Sequence, residues 1–205
     1  MALFAPNLDV TSDQPLAHFR MRQTLHHLTL NLPLQIKPEI FYIILTSSST
    51  TLESLTLINL AGPSRYSSNT ANLARYFSTT LFRNLRHLTL GTIAFNADVG
   101  DLFGSLPSLT ALEVCDALTD REIRAIGYHA PHQLERLSFT SLEYHLNQST
   151  FGSIRGVLRL QNLDHLRQLD LRSVPLSAFA NPIALSLLRE CEERGCTVSS
   201  RFDYL

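Results

Sequence analysis

A six-residue pattern, Leu-x-x-Leu-x-Leu, recurs along this chain and limits its possible folds more than any other feature. The pattern or a close variant occurs six times, at 25–30, 52–57, 85–90, 109–114, 134–139 and 166–171. Fainter copies stand at 8–10 and 196–198. Self-similarity at a fixed period is the signature of a stack of repeated structural units. The repeat explains much of the leucine content, which is 38 of 205 residues.

Each copy is predicted to form a strand, because its fourth and sixth positions are apolar and its fifth is polar. The connectors are predicted to form helices over 38–45, 70–79, 120–129 and 184–194, and shorter or irregular segments over 98–104 and 147–158. Thr119 is the expected cap of the third helix, and Gly195 is expected to end the fourth. Strands alternating with helices predict parallel strands joined by right-handed crossovers. We therefore expect an α/β solenoid in a single domain over 1–205, with a curved parallel sheet inside and the connectors outside.

The copies resemble leucine-rich repeats, and one stretch resembles a particular subclass. Residues 109–139 are similar to the cysteine-containing repeat, which has a cysteine after the strand, an apolar-Thr-Asp step, a helix, and Cys-Pro-x-Leu before the next strand. The residues in matching order are Cys115, Leu118, Thr119, Asp120, Ile123, Ile126, Pro131 and Leu134. Cys115 comes two residues earlier than in that repeat, and Ala130 replaces the second cysteine. The run 187–202 is similar to the last helix and strand of many fungal F-box repeat domains.

The resemblance implies a function in protein recognition. Cysteine-containing repeats are typical of F-box proteins, which present substrates to a cullin-RING ubiquitin ligase. We therefore expect a non-catalytic module that recognises a ubiquitination substrate. No F-box motif is visible in this chain, so a ligase adaptor is an expected partner only if an F-box lies outside it. Two alternatives stay open. One is a solo leucine-rich-repeat scaffold or inhibitor unrelated to ubiquitin, and the other is a hydrolase with a non-contiguous site.

Two columns of side chains are predicted to face away from the leucine core, because side chains alternate along a strand. Position three holds His27, Ser54, His87, Ala111, Arg136 and Gln168. Position five holds Thr29, Thr56, Thr89, Glu113, Ser138 and Asp170. Apart from Ala111, we predict that these residues bind protein, since solenoids use their inner wall for binding. A solvated face whose threonines merely suit a strand is the alternative.

The predicted face is small for a protein partner. Six strands at ~4.8 Å and about five residues per strand give on the order of 500 Å², whereas a standard interface takes ~800 Å² per partner. Loops must therefore contribute. The connector 58–69 is the best candidate because it contains Arg65 and Tyr66, residue types favoured at interfaces. A tolerated insertion is the alternative interpretation of this connector.

The sequence predicts no catalytic residues, metal or cofactor. Motifs such as G-x-S-x-G, H-E-x-x-H, C-x-x-C, the P-loop and G-x-G-x-x-G are absent. His27 and His87 belong to copies separated by a whole repeat, roughly 9–10 Å apart, too far to share a zinc ion. Cys191 and Cys196 are expected to be core thiols, and Cys115 is implied by the resemblance to be a structural thiol after its strand.

Charge and cysteine usage limit the partner and the compartment. The formal net charge is −1, which argues against a dedicated nucleic-acid or anionic-membrane binder. Three cysteines form no disulfide framework, and the first residues do not form a signal peptide. No stretch is apolar enough over ~18 residues to span a membrane. These observations predict a cytoplasmic or nuclear protein.

Overall fold

The computed structural model describes residues 25–31, 43, 45–58, 80–91, 99–115, 120–140, 152, 154–156, 163–172 and 180–199. Within these ranges the chain forms seven strands, three helices whose bounds follow, and further helical residues at 43, 45–48, 152 and 154–156. The strands are β1 (His27–Asn31), β2 (Ser54–Ile58), β3 (His87–Leu90), β4 (Ala111–Val114), β5 (Arg136–Phe139), β6 (Gln168–Asp170) and β7 (Thr197–Ser199). The helices are α1 (Val99–Gly104), α2 (Asp120–His129) and α3 (Pro182–Glu193).

All seven strands belong to one parallel sheet, and their order in the sheet is their order in the chain. Among the described strands the sheet does not close on itself, and β1 and β7 stand at the two ends of this order. Every predicted copy from 25–30 to 166–171 supplies one strand, and the faint copy at 196–198 supplies β7. The prediction of a single parallel sheet with helices in its connectors is therefore confirmed, and the fold class is α/β.

The sheet pairs equivalent positions of successive copies, so each leucine position becomes a buried column. Position four, for example, aligns Leu55 with Leu88 and Leu88 with Leu112. The buried residues at positions one, four and six are Leu25, Leu28, Leu52, Leu55, Leu57, Leu85, Leu88, Leu90, Leu109, Leu112, Val114, Leu134, Leu137, Phe139, Leu166, Leu169 and Leu171. This ladder of apolar side chains forms the hydrophobic core on one face of the sheet.

A repeated hydrogen-bond arrangement aligns the strands. The carbonyl oxygen at position two of one copy accepts hydrogen bonds from two successive amides of the next copy. Thus the carbonyl of His26 accepts from the amides of Glu53 and Ser54, at 2.8 and 3.0 Å. The same pattern occurs at the carbonyls of Glu53, Arg86, Thr110 and Glu135. Because the pattern recurs at one position, it holds all six copies in one register.

The helix predicted over 120–129 is confirmed as α2. Ile123 and Ile126 lie three residues apart on one helix face and are fully buried against the core of the sheet. The segment predicted to be short, 98–104, contains the six-residue α1, which packs against α2. Both helices therefore cover the same face of the sheet as the leucine ladder.

Helix α3 begins two residues before its predicted start. The side-chain oxygen of Asn181 accepts a hydrogen bond of 2.8 Å from the amide of Ile183, and Pro182 occupies the first turn. An asparagine cap followed by proline satisfies the free amides of a helix N-terminus. Ala184, Leu187 and Cys191 form its buried face. Gly195 lies just beyond its end with φ of 69°, which confirms the predicted stop.

Several predicted elements lie partly or wholly outside the described residues. The helix over 70–79, the cap Thr119 and the faint copy at 8–10 are wholly outside. Of the helix predicted over 38–45, residues 43 and 45 are described and helical, and the helix continues to 48. Of the irregular segment 147–158, residues 152 and 154–156 are described and helical, and Ile154 is buried.

Candidate functional site

The side chains at positions three and five lie on the sheet face opposite the leucine ladder, and we call this surface the open face. The strand pairing aligns His27 with Ser54 and Thr29 with Thr56, and it continues both columns through the sheet. His27, Thr29, His87 and Arg136 are exposed, whereas Ser54, Thr56, Thr89, Ala111, Glu113, Ser138 and Gln168 are half-buried. The predicted columns are therefore real features of the sheet.

The position-five column changes in character along the sheet. It begins with three threonines in register, Thr29, Thr56 and Thr89, and then reaches Glu113. The hydroxyl of Thr89 donates a hydrogen bond of 3.2 Å to Oε2 of Glu113. The open face thus has a neutral half, over β1 to β3, and a charged half, over β4 to β6. The hydrogen bond from Thr89 orients Glu113, the first carboxylate of the charged half.

A shallow pocket occupies the charged half of the open face, with a volume of about 240 Å³. Ala111 lies at its floor, because the strand register places this small residue between His87 and Arg136. The polar side chains around it are His87, Thr89, Glu113, Arg136, Ser138, Gln168, Asp170 and Arg172. A small side chain flanked by long polar ones leaves room for a side chain of a partner. We call this feature the Ala111 pocket.

Asp170 is the exception among the predicted open-face residues, because it is buried and not exposed, at 7%. Arg172 covers it: the backbone amide of Arg172 donates a 3.0 Å hydrogen bond to the carboxylate, and the guanidinium donates further hydrogen bonds to both oxygens. Burial acts to raise the pKa of Asp170, but the hydrogen bonds and charge of Arg172 and a hydrogen bond from Ser138 lower the pKa below its ordinary value. Asp170 is therefore an ionised, paired carboxylate.

Arg172 is a residue of the pocket that sequence reasoning missed. The two charged residues are separated by one residue in the chain, and residues two apart in an extended segment lie on the same face. An acidic side chain at position five followed two residues later by arginine was therefore the signal that could have identified the pair. Ala111 was placed in its column but was not proposed as a functional position.

Position two, just before the strands, holds a titratable side chain in five of the six copies and Thr110 in the fourth. His26, Glu53, Arg86, Glu135 and Arg167 are exposed there. Nδ1 of His26 lies 2.9 Å from Oε1 of Glu53. This hydrogen bond lowers the pKa of Glu53, assisted by the charges of His26, His27 and Arg86 and opposed by desolvation. Acidic and basic side chains therefore both stand at position two, beside the strand starts.

The described histidines of the two strand columns do not share one position, and those around Pro131 are on a different segment. Ser54 of β2 stands between His27 and His87 in the position-three column, so two strand spacings separate these imidazoles. His129 and His132 are exposed on either side of Pro131. Among the residues that the structure describes, no group of three or more His, Cys, Asp or Glu side chains could hold a metal ion.

The predicted loop contribution lies outside the described part of the chain. Only Ile58 of the connector 58–69 is described, so Arg65 and Tyr66 are not placed. Cys115 is half-buried directly after β4, and its amide donates a hydrogen bond of 2.7 Å to the carbonyl of Leu90. That bond continues the strand pairing by one residue beyond β4.

Comparison with known proteins does not assign a function. No protein-family model matches the chain, and no curated protein matches it either. Within the described ranges, no helix is both long enough and apolar enough to cross a membrane.

Proposed function

We propose that this chain is a leucine-rich-repeat solenoid that binds a protein partner through its open face. The observation that carries the proposal is the equivalence of the repeats. Each copy adds one parallel strand to the same sheet, with the same positions buried and the same positions on the open face. Strands lie ~4.8 Å apart and packed helices ~10 Å apart, so stacking such units bends the stack with the strands on its inner wall.

The Ala111 pocket is the proposed centre of the interface. Arg136 is exposed at one side of it, and Glu113 stands on the neighbouring strand with its carboxylate oriented by Thr89. A partner carboxylate pairs with the guanidinium of Arg136, and a partner amide or cation donates to Glu113. Hydrogen bonds to ionised groups are roughly twice as strong as neutral ones. The pocket therefore suits a polar partner segment that carries both kinds of group.

The open face is too small to form the whole interface with a protein partner. Seven strands at ~4.8 Å, each of three to five residues, cover on the order of 450 Å², which is below the ~800 Å² that one side of a standard interface buries. The partner must therefore also contact surface outside the two columns. The connector containing Arg65 and Tyr66 remains our candidate for this contribution.

We further propose that the partner is a ubiquitination substrate and that the chain is the recognition part of an F-box-type receptor. The support is the segment 109–139, which forms β4, α2 and β5 in succession, with Cys115 directly after the first strand. Ala130, which stands where the resembling repeat has its second cysteine, is buried as a structural residue at that position would be. A solo repeat scaffold or inhibitor is the alternative, and the adaptor experiment below distinguishes the two.

A hydrolytic site is not supported by the charged half of the open face. A carboxyl group acting as general acid near neutral pH needs a raised pKa. The pKa of Asp170 is lowered instead, and Arg172 occupies both of its oxygens. We therefore propose binding and not catalysis for the Ala111 pocket.

The binding proposal is tested with a matched pair of charge reversals. Arg136→Glu changes the open face, whereas Arg124→Glu makes the same change on the exposed side of α2, on the other side of the sheet. Ala111→Trp fills the pocket. Proteins captured by the tagged chain are identified by mass spectrometry, purified and titrated against each variant. We expect at least tenfold weaker binding for Arg136→Glu and Ala111→Trp and unchanged binding for Arg124→Glu; equal binding by all variants contradicts the proposal.

The ligase assignment is tested separately, by expressing the chain in its full genomic reading frame. Recovery of the ligase adaptor together with a partner that requires the Ala111 pocket supports an F-box-type receptor. Recovery of such a partner without the adaptor supports the scaffold or inhibitor. The open-face proposal and the ligase proposal can therefore fail independently.

A further inference from the structure

Two backbone hydrogen bonds form a loop at the C-terminus of α3, and this loop brings Cys191 and Cys196 together. Gly195, at φ of 69°, follows the last helical residues. Its amide donates a 2.9 Å hydrogen bond to the carbonyl of Glu192, and the amide of Cys196 donates a 2.8 Å hydrogen bond to the carbonyl of Cys191. This pair of bonds defines a Schellman motif, in which the first and last residues of the loop normally make a hydrophobic contact. Here both contacting residues are cysteines.

The backbone bond places the two cysteines within reach of a disulfide. With standard backbone dimensions, a 2.8 Å hydrogen bond between their amide and carbonyl groups limits the Cα–Cα distance to about 6.7 Å. Native disulfides have Cα–Cα distances of about 4.4–6.8 Å. The two side chains are buried next to each other. The Cα separation that the loop allows is therefore compatible with a disulfide between them.

The two thiols differ in chemistry. The hydrogen bond from Cys191 lowers the pKa of Cys196, against the effect of burial, and the backbone of Leu169 and the charge of Arg194 also lower it. The same thiol–thiol hydrogen bond and burial raise the pKa of Cys191. Since the thiolate is the nucleophile, Cys196 is the member of the pair that reacts first. Cys191 is then positioned to complete the reaction.

Solvent reaches the pair from the Cys196 side. Cys196 lines an open pocket of about 390 Å³ between the end of α3 and β7, together with Leu188, Gly195 and Val198. Cys191 faces the core and is completely buried. Cys196 is therefore the thiol nearer to solvent, at 5% exposed, whereas Cys191 is at 0%.

We propose that Cys191 and Cys196 are a reversible oxidation site that a peroxide converts to a disulfide between α3 and β7. The Cys196 thiolate attacks one oxygen of hydrogen peroxide, which breaks the O–O bond and forms a sulfenic acid and hydroxide. The sulfur of Cys191 then attacks the sulfenic sulfur, loses its proton and releases water as the S–S bond forms. The two sulfurs supply two electrons, and the peroxide is reduced to two equivalents of water.

The disulfide would tie α3 to β7. A covalent link between two elements limits the freedom of their locally opened state and so disfavours their opening. Oxidation is therefore expected to protect β7 and α3 from local unfolding and to leave the open face unchanged. A reductant that acts by thiol exchange restores the two thiols.

The test uses the reduced full chain, treated with increasing hydrogen peroxide and then denatured and alkylated. Mass spectrometry is expected to show the loss of two of three alkylatable thiols, a crosslinked peptide containing 191 and 196, and full recovery after dithiothreitol. Cys115→Ser is the matched control and is expected to oxidise like the parent chain. Equal loss at Cys115, or disulfides formed only between two chains, overturns the proposal.

The order of the two steps is tested with single variants that retain the fold by circular dichroism. In Cys191→Ser, peroxide is expected to produce a sulfenic acid at Cys196 that dimedone traps. In Cys196→Ser, oxidation at Cys191 is expected to be at least tenfold slower than the oxidation of Cys196 in the parent chain. Equal rates, or dimedone labelling only at Cys191, overturn the assignment of Cys196 as the reactive thiol.

Discussion

The guanidinium of Arg172 lies along the carboxylate of Asp170, with its Nε 2.9 Å from each of the two carboxylate oxygens. The arginine side chain is half exposed, at 52%, whereas the aspartate side chain is 9% exposed. Arg172 therefore shields a charge that the strand alternation alone would leave in solvent. The pair marks the β6 end of the charged half of the open face.

The first prediction concerns the pH dependence of stability. The pKa of Asp170 is lowered in the folded protein, so this group stabilises the fold above its unfolded pKa of about 3.9. That contribution is lost as the pH falls through the lowered folded value. Asp170→Asn is therefore expected to lower the free energy of unfolding at pH 7, and the difference from the parent chain is expected to shrink as the pH falls below the unfolded pKa.

Urea denaturation at pH 7, 5 and 3 measures this difference. Asp164→Asn is the matched control, because Asp164 is exposed just before β6 and is expected to show little change at any of the three values. If the free energy of unfolding of Asp170→Asn differs from that of the parent chain by the same amount at all three pH values, the ion pair does not cause the pH dependence.

The second prediction contrasts two neighbours on β3. Leu88 is 1% exposed within the leucine ladder, and Leu88→Ala is expected to cost ~2–5 kcal/mol of stability. Thr89 lies on the open face, and Thr89→Ala loses only its hydrogen bond to Glu113, worth about 0.5–1.5 kcal/mol. Guanidinium denaturation of both variants tests the assignment of faces. Equal losses would refute it.

The third prediction concerns the start of α3. Asn181→Ala removes the oxygen that accepts from the amide of Ile183, and it is expected to cost about 0.5–2 kcal/mol. Asn181→Asp keeps the acceptor and adds a negative charge at the positive end of the helix dipole, so its stability is expected to equal that of the parent chain or exceed it. Thermal unfolding of the two variants distinguishes these results. Equal destabilisation by both would exclude a capping role.

The fourth prediction compares two glycines at helix ends. A Cβ added at Gly195 meets no atom within 4 Å, so Gly195→Ala carries only the backbone cost of its positive φ, about 1–2 kcal/mol. A Cβ at Gly104 also meets nothing within 4 Å, and its φ is not positive. Gly104→Ala is therefore expected to stabilise the chain by about 0.4–1 kcal/mol. Chemical denaturation should show a lower free energy of unfolding for Gly195→Ala and a higher one for Gly104→Ala. A change in the same direction for both variants would contradict this prediction.

The strands and their faces were predictable from the sequence. Leu88 and Thr89 were assigned to opposite faces from the alternation of one six-residue copy, and the parallel order followed from the connectors between copies. These are local properties, because side-chain direction in a strand has a period of two and does not depend on distant residues. Helix α2 was predictable for the same physical reason, because Ile123 and Ile126, three residues apart, share one face of a helix.

The candidate site was less predictable, because its particular features depend on residues from different strands. The sequence placed Ala111 in a column but could not show a pocket, which exists because β3 and β5 set His87 and Arg136 on either side. The sequence also predicted that Asp170 is exposed to solvent, because the alternation of side chains along a strand contains no information about another side chain that covers it.

The sequence by itself determined that every copy contributes one strand, which positions are buried and where α3 ends, since periodicity, capping and a left-handed glycine act over a few residues. Only the tertiary structure decided that Arg172 covers Asp170, that the pocket forms above Ala111, and that the thiols of Cys191 and Cys196 meet. The pocket depends on strand register, which brings together residues that are far apart in the sequence. The other two contacts are between residues close in sequence, but they depend on the direction of individual side chains, which strand and helix periodicity does not specify.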